Sequence, residues 1–323
     1  MVEPPLPELP HEPTRLLRTV QDGEVLGASR QLHVLGECLV ALVSARTGDV
    51  MRLSADVRAI DDYVRRTRGA SSQAVTNGLA LMARPALAVE SSPDEEVGER
   101  LLAAVAAFRA ELSGWQLAAR YHATELLDEC RTILMYDYSS SVSQAVAELS
   151  RSGRPLQVFV PEARSLDGGR KYLADWHGLD ILVDLVPDSA VGWALDRCDV
   201  ALVGAETLSA EGGCYNTIGT AIAAHEANLR QVPFHVLSIL LKTHLNTSGA
   251  ERPIPMLDFL SLPHPAGRPQ GPPRVTLRGS FADLDYTAPA AITSIVTEHG
   301  CLDPAEVAAA ARAVLHDSEP ARD

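Results

Sequence analysis

Lysine is nearly absent from this chain. Only Lys171 and Lys242 occur in 323 residues, and the rest of the 28 basic side chains are arginine. Such a bias points to a GC-rich, bacterial genome, and it makes a lysine kept beside an apolar stretch worth a closer look. A basic face is lacking too: the formal charge of −14 disfavours a nucleic-acid partner, which would need its phosphates neutralised, and reads first as solubility. No apolar run approaches the roughly 20 residues that cross a bilayer, so no membrane role is expected. The first residues carry Glu3, Pro4, Pro5, Pro7, Glu8 and Pro10 in place of a basic and then apolar leader, so no secretory signal is expected. The five cysteines (Cys38, Cys130, Cys198, Cys214, Cys301) are scattered with no C-x-x-C pair. That spacing argues against a zinc site or a disulfide framework and fits a reducing cytoplasm; no metal and no cofactor are expected.

What is present is an ordinary globular composition, 46% hydrophobic and 22% charged, long enough for two modest domains. From Thr14 to about Leu127 the pattern is helical. Leu101, Leu102, Val105, Phe108, Leu112, Trp115 and Tyr121 fall mostly three and four residues apart, which predicts an amphipathic helix over 97–127. Shorter helices are predicted at 28–46, 54–66 and 71–84, and a loop from Pro85 to Glu95.

After Cys130 short apolar runs alternate with helical spacers. The runs are Ile133-Leu134-Met135, Val158-Phe159-Val160, Ile181-Leu182-Val183, Val200-Ala201-Leu202-Val203 and Phe234-His235-Val236-Leu237. Helices are expected between them at 141–151, 169–177, 189–196 and 218–230. This alternation is the signature of a parallel sheet buried on both faces. The fold class is therefore α/β: a helical N-terminal domain, 1–127, followed by a Rossmann-like doubly wound parallel-sheet domain, 128–323. Pro253 to Pro273 reads as an irregular surface excursion, and Asp303-Pro304-Ala305-Glu306 as an N-cap, first-turn proline and capping-box glutamate opening a last helix.

In such a sheet ligands gather at the carboxyl ends of the strands, so the strand-to-helix junctions hold the candidate chemistry. Tyr136-Asp137-Tyr138-Ser139-Ser140-Ser141 offers successive hydroxyls where a helix begins, suited to capping it or to holding an anion with its free N–H groups. Pro187-Asp188-Ser189-Ala190 is a second polar junction, and Gly204-Ala205-Glu206-Thr207 places a carboxylate just past a buried strand, either as acid or base or as an exposed loop residue. Gly212-Gly213, Asn216 and Gly219-Thr220 could bring backbone close to a phosphate. Lys242, following the apolar stretch Phe234–Leu241, could reach one as a compact cation. Lys171, beside Arg170 at a helix start, is expected to be solvated.

Taken together, Val203-Gly204-Ala205-Glu206, Gly212-Gly213, Asn216, Ile218-Gly219-Thr220, Pro233-Phe234-His235-Val236 and Lys242 resemble the core signature of the initiation factor 2B-like family. Ile133-Leu134 with Tyr138-Ser139, Glu162 with Gly168, Asp188–Gly192 and Thr297-Glu298-His299-Gly300 agree in order. The likeness covers roughly 130–310 and is thinner in the helical half, where it rests on Gly27-Ala28-Ser29 and Arg68-Gly69. That family includes translation regulatory subunits, methylthioribose-1-phosphate isomerases and ribose-1,5-bisphosphate isomerases. The resemblance implies pairing through the C-terminal domain, hence a homodimer or higher even oligomer, and a sugar-phosphate pocket between the halves. Mapped by motif, Gly27, Ala28, Arg68, Ser139, Ser140, Asn216 and Lys242 would line it.

The departures from the isomerases bear on mechanism. The resemblance assigns their basic cysteine's place to Tyr138 and their acidic aspartate's to Glu206; their Asn-Lys pair is Asn216-Thr217, and an arginine before Gly27 is Leu26. Tyrosine, with an ordinary pKa near ~10, is a poor base. Glu206 remains able to serve as acid or base, and Asp137 is a second candidate. Two functions follow. One is isomerase-type proton transfer on a phosphorylated pentose or nucleoside-derived sugar, by Glu206 with Asp137 or Tyr138. The other is a non-catalytic regulatory protein that senses a sugar phosphate or nucleotide. A bacterial source would lack the eukaryotic factor and so disfavours nucleotide exchange.

Overall fold

A computed structural model describes residues 4–25, 27–89, 96–246, 254, 256–262 and 278–316. The chain divides into two compact units. One holds Met1–Gln116, Leu241–Thr243 and the described part of Ala311–Asp323; the other holds Leu117–Leu240 and His244–Ala310.

The first unit is helical: α1 (His11–Gln21), α2 (Ala28–Ala45), α3 (Val50–Arg66), the one-turn α4 (Arg68–Ser71), α5 (Gln73–Leu87) and most of α6 (Val97–Leu126). Apolar stripes at helical spacing bury Leu17, Leu32, Leu35, Leu39, Leu42, Ile60, Leu79, Met82 and Leu101 together. Asp49 opens α3 four residues earlier than its apolar pattern suggested, its side chain accepting the Arg52 amide at 3.0 Å. The helix expected over 71–84 is α5, and Ser72, where the backbone is extended, separates it from the one-turn α4. The loop expected from Pro85 begins later. Pro85 lies inside α5, near its end, where the amide bond it gives up is one a single further turn can spare, and Ala88 closes the helix on the Arg84 carbonyl. The remainder of that expected loop, residues 90–95, lies outside the described residues.

In the second unit the chain alternates as expected through β1 (Thr132–Leu134), α7 (Ser140–Arg151), β2 (Leu156–Pro161), α8 (Lys171–Asp175), β3 (Ile181–Val186), α9 (Val191–Leu195) and β4 (Val200–Gly204). It then departs from the simple pattern. Two short strands, β5 (Thr207–Ser209) and β6 (Cys214–Thr217), precede α10 (Thr220–Leu229) and β7 (Phe234–Leu237). After β8 (Thr243–His244) come β9 (Met256–Asp258), β10 (Ser280–Ala282), β11 (Leu284–Thr287), β12 (Ser294–Thr297), β13 (Gly300–Leu302) and α11 (Val307–His316).

The main sheet has the order β13-β12-β7-β4-β1-β2-β3, parallel throughout except for β13. Strands β4 and β7 are buried along their whole length, as continuous apolar runs demand, whereas β3 is the edge and leaves Leu182 and Leu185 exposed. The parallel, doubly wound architecture is the one the alternation predicted. A second sheet, β11-β6-β5-β8, and a two-stranded β9-β10 ribbon account for segments whose apolar runs were too short to register as strands. The strand expected through Leu241 ends at Leu237 and passes into a 3-10 turn, Leu240–Lys242. The described part of the excursion over 253–273 is not irregular, since it contains β9 and a 3-10 turn, Phe259–Ser261; the rest lies outside the described residues. The Asp303–Glu306 capping box forms as read. Among the described residues no helix is long and apolar enough to cross a membrane.

Candidate functional site

At the carboxyl end of β1 the chain turns sharply. Asp137 adopts a left-handed conformation (φ 57°), uncommon for a residue with a side chain and concentrated where structure is held for a purpose. The residue is only 9% exposed. The Thr217 hydroxyl on β6 donates to Oδ2, and the backbone amide of Tyr138 also supports the charge. Gly168 closes the other side; a Cβ there would overlap Asp137 Oδ1 and displace the carboxyl. The Tyr172 hydroxyl donates to the Asp137 carbonyl at 2.7 Å and accepts the Ser139 amide at 3.0 Å, tying the loop to α8. Burial raises the Asp137 carboxyl's proton affinity, an effect that Thr217, the Tyr138 amide and Lys171 partly offset.

Glu206 lies just beyond β4, half-buried, with its amide bonded to the Tyr215 carbonyl at 2.9 Å. A third carboxyl, Asp283, was not anticipated. It precedes β11, its carbonyl accepts the Ile218 amide at 2.9 Å, and its Oδ1 is buried with no hydrogen-bond partner. Burial first, then the negative charges of Asp137 and Glu206, raise its proton affinity. The signal available in the sequence was a strand-like Asp283-Leu284-Asp285 alternation, which says nothing of where the strand pairs. The α/β unit thus gathers three carboxyls where strands end. Among the described residues no group of three or more His, Cys, Asp or Glu converges as a metal site would need.

The other expected residues fall as follows. Tyr138 is engaged: its hydroxyl donates to Asp175 at 2.8 Å, and the Lys171 ammonium lies 5.9 Å from its ring centroid. Lys171 is exposed, as expected, but it sits beside Asp137 and Tyr138 and is not a bystander. Ser139 caps α7, accepting the Val142 amide at a long 3.5 Å, and Ser140 opens that helix in solvent. Asn216 is buried and donates to the Thr220 hydroxyl at 3.1 Å.

In the glycine-rich stretch the glycines face the protein's own residues. Gly212 and Gly213 make room for Pro304 and Tyr286, and Gly219 (φ 105°) makes room for the Tyr136 hydroxyl. Two amides at the start of α10 are already taken: Gly219 and Ala221 both donate to the Asp285 carboxylate, at 2.7 and 3.2 Å. A further buried carboxyl, Glu298, accepts the Leu240 amide through both oxygens (3.1 and 3.0 Å), and burial pushes it up to about 7.

In the helical unit, Gly27 caps α2 in a left-handed conformation (φ 86°), followed by Ala28. Buried Gln31 donates to the Val25 carbonyl at 2.9 Å and accepts from Arg68 Nε at 2.8 Å, so Gly27, Ala28 and Arg68 are brought together. Leu26 lies outside the described residues. Lys242 is half-buried, and Asn77 of α5 donates to the carbonyls on either side of it, Leu241 at 2.9 Å and Thr243 at 3.0 Å.

A helical unit preceding a doubly wound sheet with carboxyls at its strand ends is a recognisable class, and comparison with known proteins places it. The model of the initiation factor 2 subunit family matches residues 24–304, and the chain belongs to that family. It is 32% identical over 214 residues to a methylthioribose-1-phosphate isomerase of Pelotomaculum thermopropionicum, covering 62% of this chain and 58% of that protein. It is 31% identical over 175 residues to the translation initiation factor eIF2B subunit alpha of Caenorhabditis elegans, covering 54% and 55%. The chain thus matches a little over half the length of these relatives. By fold it is similar to the Pyrococcus horikoshii translation initiation factor eIF-2B (TM-score 0.73, 18% identity, 92% of this chain and 98% of that one). It is similarly close to the 5-methylthioribose 1-phosphate isomerase of the same organism (TM-score 0.72, 19% identity, 93% and 87%).

Proposed function

We propose that this protein isomerises a phosphorylated pentose, moving protons with Asp137 and Glu206. The observation that carries the reading is Asp137: a buried carboxyl with raised proton affinity, held in a left-handed turn at the end of β1. Converting a cyclic aldose 1-phosphate to the ketose 1-phosphate removes protons from C2 and its hydroxyl and supplies protons to the ring oxygen and C1. A carboxyl whose proton affinity lies above the usual carboxylate range is suited to take the C2 proton and return it at C1. Glu206, on the neighbouring strand and less buried, is suited to protonate the ring oxygen. Tyr138, the position that resemblance assigned to the base, has its hydroxyl committed to Asp175, which favours Asp137 in that role. The relatives named as methylthioribose-1-phosphate isomerases make that sugar phosphate the first substrate to try. The proposed ligand contacts are Arg68, Gly27, Ala28 and Lys242 in the helical unit and, separately, Ser139, Ser140 and Asn216 in the α/β unit, in a cytoplasmic homodimer or higher even oligomer.

A second reading is a sensor that retains the sugar phosphate without turning it over, favoured by relatives named as eIF2B alpha subunits. One experiment separates the two. The protein is incubated in D2O with methylthioribose 1-phosphate and with ribose 1-phosphate, and the ketose is followed by NMR. We expect ketose to form, and Asp137→Asn or Glu206→Gln to slow it by about 10²–10⁴-fold, the weight of a general acid or base. Binding without ketose would support the sensor, and unaltered rates in both variants would remove these carboxyls from the reaction.

A further inference from the structure

Thr217 ends β6 and is 3% exposed. Its backbone is fixed on both sides: it pairs with Leu284 of β11, and its carbonyl accepts the Thr220 hydroxyl at 2.7 Å. The side chain cannot turn to solvent, and its hydroxyl donates to Asp137 Oδ2. On the other side Gly168 packs against Oδ1, where a Cβ would overlap that oxygen. A carboxylate held from a neighbouring strand by one rigid donor keeps its direction when its own loop moves.

We propose that Thr217 is the positioning residue for Asp137, its hydroxyl fixing the rotation of that carboxyl and supporting its charged form. The inference rests on Asp137 being the group that moves the proton. The other groups facing Asp137 are Tyr136 and Tyr138 on its own turn, Lys171 and Tyr172 on α8, Asp188 after β3, and Asp283 before β11. Only Lys171 among them brings positive charge, and it is exposed, which leaves the Thr217 hydroxyl and the Tyr138 amide as the donors that support the carboxylate, and Thr217 as the one held on another strand.

The test is a titration of Asp137 by carbon NMR in protein labelled at the aspartate carboxyls, with the resonance assigned by Asp137→Asn. Thr217→Val keeps the shape and removes the donor; Thr217→Ser keeps the donor. A hydrogen bond to a charged group is strong enough that its loss should raise the Asp137 midpoint by about one pH unit. Thr217→Ser should leave it in place. If the valine variant does not fold, Thr217→Cys, a weaker donor of similar size, should give a smaller shift in the same direction. An unmoved midpoint in the valine or cysteine variant, or an equal shift in the serine variant, would overturn the proposal. Turnover of methylthioribose 1-phosphate is measured alongside, where the acid limb of the rate profile should follow the same midpoint. Should wild-type protein turn over no sugar phosphate, the isomerase reading fails while the titration still decides the role of Thr217.

Discussion

Glu298 offers a stability prediction whose sign and size come from its surroundings. The residue is 9% exposed; both carboxyl oxygens accept the Leu240 amide, and the residue's own backbone amide also supports the charge. Burial raises its pKa from 4.5 to about 7. The folded protein therefore prefers the protonated acid, and the contribution to stability is fully present below about pH 4.5 and lost as pH rises through about 7. A shift of that size corresponds to about 3 kcal/mol. Glu298→Gln keeps an oxygen for the Leu240 amide and removes the titration. The variant and wild type should diverge as pH rises, the variant becoming more stable by up to about 3 kcal/mol near pH 8. Other raised carboxyls, Asp137, Asp283 and Asp285, push the wild-type curve the same way, so the difference between the two proteins isolates Glu298. Thermal melting from pH 4 to pH 8 would read this as a relative gain of about 4–5 °C for the variant at the alkaline end. Melting curves that stay parallel across the range would refute the reasoning, because they would mean that Glu298 titrates alike in the folded and unfolded chain.

Other outcomes are equally specific. Lys242→Ala should weaken binding of methylthioribose 1-phosphate by roughly ten- to a hundredfold, the scale of a charge-assisted phosphate contact, as read by calorimetric titration. An exposed arginine at the C-terminal end of α7, Arg151, is the better control, since Lys171 stands beside Asp137. Cys214 is wholly buried with its thiol pushed up to about 12, so Cys214→Ser should leave any turnover within a few-fold; a loss of roughly a thousandfold would restore it as a nucleophile or base. Light scattering at micromolar concentration should give a dimer or larger even assembly and not a 34.6 kDa monomer.

The fold was largely legible because its strongest signals are periodic. Buried parallel strands such as β4 and β7 must be continuous apolar runs, and α2 and α6 must carry stripes at helical spacing. The short strands β5, β6 and β11 escaped notice because their stability comes from pairing across the second sheet, with Cys214 to Thr217 of β6 set against Leu284 to Thr287 of β11. Nothing local in three or four residues announces a partner some 70 positions away. Asp283 was missed for the same reason: only that pairing carries it to the end of β6.

The glycine-rich turn before α10 shows where local reading of an anion site goes astray. Glycines ahead of a helix N-terminus describe a place where donor amides are gathered, and the structure has such a place. A sequence cannot say whether the anion is a ligand or the protein's own carboxylate, and here Asp285 occupies the Gly219 and Ala221 amides. The competing junction, Tyr136–Ser141, differs in this respect. Ser139 bonds the α7 amide of Val142 only at 3.5 Å, and the residue before Ser139 has its hydroxyl turned away to Asp175. The carboxyl on that turn, Asp137, is held by Thr217 and the Tyr138 amide and not by the helix. Of the two helix starts that looked alike as sequence, α10 is closed by a carboxylate that also fixes β11 to it. The one beside Asp137 and Lys171 keeps the loose cap and mixed charge on which the proposed chemistry depends.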